Sequence, residues 1–109
     1  MFVNGYFLSE NLVAQEKSLK QEAGTDCLTG LHNRHYMEKA LRREIARARR
    51  ALTPLGIMML DIDHFKRIND QYGHLIGDCI LKGMGEQLVG LVRDEDIACR
   101  YGGEEFLLI

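Results

Sequence analysis

Proline, paired cysteines, long apolar runs and net charge are all scarce in this chain. The only proline is Pro54. No internal repeat or low-complexity tract is present, so a Pro-rich linker and a solenoid are both excluded. Cys27, Cys79 and Cys99 are scattered without a CxxC spacing, which argues against a disulfide framework or a zinc site. Cys79 is read on the apolar side of a helix and Cys99 in a strand, both as reduced core residues. That fits a cytoplasmic address and leaves open a parent protein attached to a membrane. No apolar stretch approaches the ~20 residues that span a bilayer. Residues 1–8 are too short, and lack the basic flank, for a signal peptide. A formal net charge of −2 offers no global field for nucleic acid or membrane.

What remains is an ordinary globular composition, 46% hydrophobic and 28% charged, in a length that allows one domain at most. Residues 100–109 read as a β-hairpin. Residues 96–101 form one arm, 106–109 begin the other, and Gly102-Gly103 supplies a turn that tolerates positive φ. Glu104 and Glu105 then fall at the tip or on the first residues of the second arm. Glycines there let a phosphate approach the backbone while the acids hold a divalent cation. Asp61 ends the apolar run 57–60, which predicts a strand buried on both faces. Alone, Asp61 is either a strand-end cap or an acid placed for chemistry. Together with Glu104 and Glu105 it makes a set of hard oxygen ligands on neighbouring strand ends, suited to Mg²⁺ or Mn²⁺ carrying nucleotide phosphates. Alternation sends Asp63 to the same face as Asp61, so spacing alone does not exclude it.

Several helices surround these elements. Residues 9–22 read as a linker helix, with Leu8, Leu12 and Leu19 on a heptad-like spacing that Gln15 interrupts. Residues 26–33 form a loop, bent at Thr29-Gly30, with Leu28 and Leu31 folding onto the core. Asn33 caps a helix over 34–51, whose buried stripe is Met37, Leu41, Ile45, Ala48 and Leu52. Its basic residues, Lys39, Arg42, Arg43, Arg47, Arg49 and Arg50, read as a solvated face because no aromatics interleave with them. Residues 62–70 form a short helical segment. Phe65 and Ile68 point inward, and Lys66 and Asn69 can face a ligand. An Asn offers a donor and an acceptor and so suits a guanine edge, or it is a turn residue. A second long helix covers 75–92, with the stripe Ile76, Ile80, Met84, Leu88 and Leu91. Gly77, Gly83, Gly85 and Gly90 weaken that helix by roughly 1 kcal/mol each. Gly83 is a candidate for close approach to the strand beneath. Arg93 to Asp96 read as a charged surface loop.

Four blocks, in order, resemble the GGDEF domain of diguanylate cyclases: 26–34 (DCLTGLHNR), 60–70 (LDIDHFKRIND), 72–78 (YGHLIGD) and 100–106 (RYGGEEF). The resemblance covers about residues 24–109. It implies an α+β, palm-like nucleotidyl-cyclase fold with a ferredoxin-like core, incomplete at the C-terminus. The strand of Asp61 should lie beside the hairpin, with the two long helices on one face. Residues 1–24 would be a helical stalk that joins a sensor domain and pairs two copies, and 25–109 the N-terminal part of the GGDEF domain. The implied reaction condenses two GTP into cyclic di-GMP and two pyrophosphates across a homodimer. The alternatives are a module that binds GTP or cyclic di-GMP without turnover, and an inactive truncated piece.

The resemblance also assigns residues. Asp61, the Ile62 carbonyl and Glu104 would hold Mg²⁺ or Mn²⁺, two ions per active site, with Asp63 a structural neighbour. Glu104 or Glu105 would deprotonate the attacking hydroxyl, and Lys66 would neutralise charge. Gly102, Gly103 and the Phe65 and Lys66 amides would make room for the phosphates. His64 would form a pocket wall; His74, read from its place just before the second long helix, either approaches phosphate or is a structural histidine. Asn69 and Asp78 would hold guanine. Arg93 and Asp96 would form an inhibitory product site for cyclic di-GMP.

Overall fold

The computed structural model describes residues 24–109. The helix expected over 9–22, with its heptad-like leucines, lies outside the described residues. The described elements are β1 (His32–Asn33), α1 (Arg34–Ala51), β2 (Met58–Asp61), α2 (Phe65–Tyr72), α3 (His74–Leu91), β3 (Ala98–Arg100) and β4 (Glu105–Leu108). The strands make one mixed sheet in the order β1-β3-β4-β2. β1 runs parallel to β3, whereas β4 is antiparallel to both β3 and β2. The strand of Asp61 therefore lies beside the hairpin, as expected. β1 falls in a segment expected to be all loop; two residues are too few to carry a period-two signal.

The hairpin sorts its residues by alternation. Ala98, Phe106 and Leu108 join Leu31, Phe65, Leu81 and Leu88 in one cluster. Cys99 and Leu107 join Met37, Ile97, Tyr101 and Ile109 in another. Helices α2 and α3 thus cover one face of the sheet and α1 covers the other. This corrects the expectation that both long helices share a face. Phe106 and Leu107 are adjacent and both buried, so each side of β4 needs its own apolar cover.

Asn33 caps α1 as expected, its Oδ1 accepting from the Tyr36 amide at 2.9 Å. The helix ends at Leu52 in the left-handed region, φ 56°. Only the first turns of α1 meet the sheet. Met37 and Ala40 are buried, but Ile45 is 39% and Leu52 92% exposed, so the expected stripe stops half-way along. On α3 the buried positions are Gly77, Leu81, Gly85 and Leu88, a face rotated from the expected stripe. Ile76 and Leu91 are exposed. Cys79 turns to solvent with them and is not a core residue, whereas Cys99 is buried. Burial pushes the Cys99 thiol up to about 11, despite an opposing backbone hydrogen bond from Leu107. β2 is also corrected. Ile57, Met58 and Met59 are half exposed, because β2 is the edge of the four described strands rather than a strand covered on both faces.

Candidate active site

Asp61 is the last residue of β2 and pairs in register with Glu105, the first residue of β4. Glu104 precedes it in the turn. The Ile62 amide donates to the Glu104 carbonyl at 3.2 Å, which extends the ladder one rung past the strand end. Three carboxylates therefore meet at one corner of the sheet. The Glu104 carboxyl is held above the usual carboxylate range. Burial contributes most, followed by the charge of Asp61, a side-chain hydrogen bond with Asp61 and the charge of Glu105. Like charges facing each other across a ladder are unfavourable. Asp63 is exposed beyond the strand.

The chemistry of this donor set fits a hard divalent cation. Two acids that resist ionising together are relieved by a cation between them. Among the described residues no three His, Cys, Asp or Glu side chains form a ready-made metal cage. An ion bound by Asp61, Glu104 and the Ile62 carbonyl would complete its shell with water and phosphate oxygens, as Mg²⁺ does.

The turn is held from below by a residue to which the sequence assigned no role. The Arg100 guanidinium donates twice to the Gly103 carbonyl, at 2.9 and 3.2 Å, and pairs with Asp26 at 3.4 Å. Asp26 in turn accepts from the Thr29 amide at 2.9 Å and the Thr29 hydroxyl at 2.7 Å. A distant loop thereby fixes the acidic turn. The signal was present in sequence only as two quoted blocks, residues 26–34 and 100–106; nothing in the spacing says that they touch. Gly102 is needed for a different reason from the one expected, since positive φ among the described glycines occurs at Gly24, Gly30 and Gly73. A Cβ at Gly102 would collide with Glu105 Oε1, so the missing side chain makes space for that carboxylate. Gly103 faces open space.

Beyond β2 the chain turns through His64, left-handed at φ 57°, into α2. His64 makes no side-chain cap and the first turn carries no acid. The opening amides of α2, Phe65 and Lys66 among them, are left with a positive end that suits phosphate. The Lys66 side chain is exposed and the Phe65 ring is buried. Asn69 lies one turn further along, packed on Gly77 of α3, and Asp78 follows Gly77. His74 opens α3 and is exposed. The structure thus gathers Asn69 and Asp78 at the α2–α3 corner.

Arg93 and Asp96 stand apart. The Arg93 amide donates to Asp96 Oδ2 at 2.9 Å and the Asp96 amide to the Arg93 carbonyl at 3.0 Å. Both residues line a hollow of about 270 Å³ whose walls include His32 and Val92.

Acids converge at the ends of neighbouring strands in a palm-like α+β sheet, a donor set that suits a hard divalent cation. The chain matches "Diguanylate cyclase, GGDEF domain" over residues 23–109, and it belongs to the GGDEF family. It is 43% identical over 95 residues to the diguanylate cyclase DgcS of Shewanella oneidensis, covering 87% of this chain and 32% of that one. It is 49% identical over 87 residues to the response regulator PleD of Caulobacter vibrioides, covering 80% and 19%. The fold matches the GGDEF domain of DgcB from Caulobacter crescentus, solved in complex with c-di-GMP. The TM-score is 0.77 and the identity 40%, over 79% of this chain and 49% of that one. Diguanylate cyclase SiaD from Pseudomonas aeruginosa, solved with its activator SiaC, gives a TM-score of 0.76 at 36% identity, over 95% and 40%. The chain spans a third or less of the length of these curated relatives. No helix among the described residues is long and apolar enough to cross a membrane.

Proposed function

We propose that the chain carries the metal- and GTP-binding face of a diguanylate cyclase, two copies of which condense two GTP into cyclic di-GMP and two pyrophosphates. The observation that carries this reading is the meeting of acids at one corner of the sheet, where Asp61 pairs in register with Glu105 and the Ile62 amide bonds the Glu104 carbonyl. Asp61, the Ile62 carbonyl and Glu104 would hold Mg²⁺ or Mn²⁺, two ions per active site. When bound, such ions supply charge stabilisation at the attacking 3′-oxygen and at the pyrophosphate leaving group.

The chain's own residues do the remaining work. Glu104 or Glu105 takes the proton of the 3′-hydroxyl. The Phe65 and Lys66 amides and His74 cradle phosphate oxygens, Gly102 and Gly103 leave room for them, and the Lys66 ammonium offsets developing charge. Asp78 accepts from guanine N1–H and the exocyclic amine, a donor pair that adenine lacks. Asn69 completes the base contact. Arg93 and Asp96 bind the product and lower turnover, the Arg fork suiting guanine and phosphate alike.

Incubation with GTP and Mg²⁺, with cyclic di-GMP as the readout, tests the reading. The product is expected from the wild-type chain, with a loss of about 100-fold or more in Asp61→Asn. Binding of GTP or cyclic di-GMP without turnover would make the chain a ligand-binding module. No guanine-nucleotide binding at all would overturn the reading. Arg93→Ala should weaken cyclic di-GMP binding and relieve inhibition, and unchanged inhibition would remove Arg93 from that role.

A further inference from the structure

The side-chain oxygen of Asn69 is buried and has no hydrogen-bond partner. Buried polar atoms without partners are rare and call for a reason. Here the oxygen rests on the bare Cα of Gly77. A Cβ at Gly77 would collide with Asn69 Oδ1, lie 2.9 Å from Asn69 Cγ and lie 3.3 Å from Phe65 Cζ. Gly77 is itself buried, in the first turn of α3, with no positive φ to explain it. In that position an alanine would favour the helix. What the glycine supplies is a seat.

We infer that Gly77 is a positioning residue that sets base specificity through Asn69. The oxygen end of the amide occupies the space that the missing Cβ leaves, and Phe65 walls the same seat. The opposite end, Nδ2, is therefore the end presented outward. Nδ2 is a donor only. Asp78, the next residue after Gly77, is an acceptor when ionised. Donor and acceptor side by side complement an edge that carries both an acceptor and N–H donors, as guanine's does. The inference rests on the proposed guanine-nucleotide site. It adds that Asn69 contributes its amide nitrogen, and that its aim is set by a residue that never touches the ligand.

The test is a double-mutant cycle on GDP and ADP affinity, measured by calorimetry with Mg²⁺. GDP has no pyrophosphate to release and is not consumed. Gly77→Ala should weaken GDP binding by about tenfold and ADP binding by much less, narrowing the preference. Mn²⁺ binding to the acids, measured alone, should stay within about twofold. Asn69→Ala should cost GDP a similar factor. Adding Gly77→Ala to Asn69→Ala should then cost nothing further and should remove any loss of Tm, because the colliding group is gone. A purely structural role would instead give additive losses and equal effects on GDP and ADP. Unchanged GDP affinity in a folded Gly77→Ala would overturn the inference while leaving the guanine-nucleotide reading intact. No GDP binding by the wild type would overturn that reading itself. Should Gly77→Ala fail to fold, NMR of the wild type decides. Cross-relaxation from the Asn69 side chain to the Gly77 α-protons, with Nδ2 protons that shift on adding GDP and not ADP, is the expected result. Its absence would be the contrary one.

Discussion

Six glycines fall into two groups that look alike in sequence and behave oppositely in the fold. Gly77, Gly85 and Gly102 each lie against a side chain. A Cβ would meet Asn69 at Gly77, Thr29 at Gly85 and Glu105 at Gly102. Gly83, Gly90 and Gly103 face open space. Each of these three touches a residue placed at the candidate site or bracing it. Asn69 is the proposed base contact, Thr29 binds the Asp26 that anchors Arg100, and Glu105 is one of the three acids. The helix α3 therefore accepts a propensity cost of roughly 1 kcal/mol at two positions for close approach, and at two others it gains no contact. The sequence reading chose Gly83 as the point of approach; the fold uses its neighbours on the rotated face.

Alanine substitution breaks the comparison most sharply at Gly85. The built Cβ lies 2.9 Å from Thr29 Cβ and 3.1 Å from the Thr29 carbonyl, and backbone cannot yield cheaply. A loss of about 1–3 kcal/mol is expected by denaturant unfolding. At Gly102 the colliding atom is the end of a flexible carboxylate, so stability should change little while Mn²⁺ affinity falls several-fold by titration. At Gly83 or Gly90 the sign reverses, and each alanine should add about 0.5–1 kcal/mol. The rotated face of α3 has a chemical test as well. In the native protein a thiol reagent should label the exposed Cys79 within minutes, whereas the buried, protonated Cys99 reacts only on unfolding.

The acids give a smaller thermal signal with a definite sign. A carboxyl whose folded pKa is raised binds its proton more tightly folded than unfolded. Between its ordinary value and the raised one, the folded state carries more protons, so stability falls as pH rises through that window. Above it the penalty is fully present. Asp61→Asn removes the Asp61 part of that penalty and should therefore raise the Tm of the metal-free protein slightly at neutral pH. It should also abolish the further rise that Mg²⁺ gives the wild type.

Much of this was legible in the chain because it is local. The Asn33 cap, the bounds of α1, the hairpin, and Asp61 at a strand end all follow from a few adjacent residues. What was not legible depends on which way a face points. Phe106 and Leu107 are two apolar neighbours, and only the pairing of β4 reveals that they serve opposite cores. The run ending in Asp61 looked buried on both faces because composition does not say that β2 is an edge. Arg100 reaches Asp26 across most of the chain, a contact without any sequence period.

The central claim is that Asp61 and Glu104 share one cation. Mn²⁺ affinity of the chain, followed by electron paramagnetic resonance across a pH series, tests it most directly. Wild-type affinity should rise with pH as Glu104 gives up its elevated proton. Glu104→Gln should bind at least about tenfold more weakly and lose that pH dependence. Equal affinity and an equal pH profile in the two proteins would contradict the account.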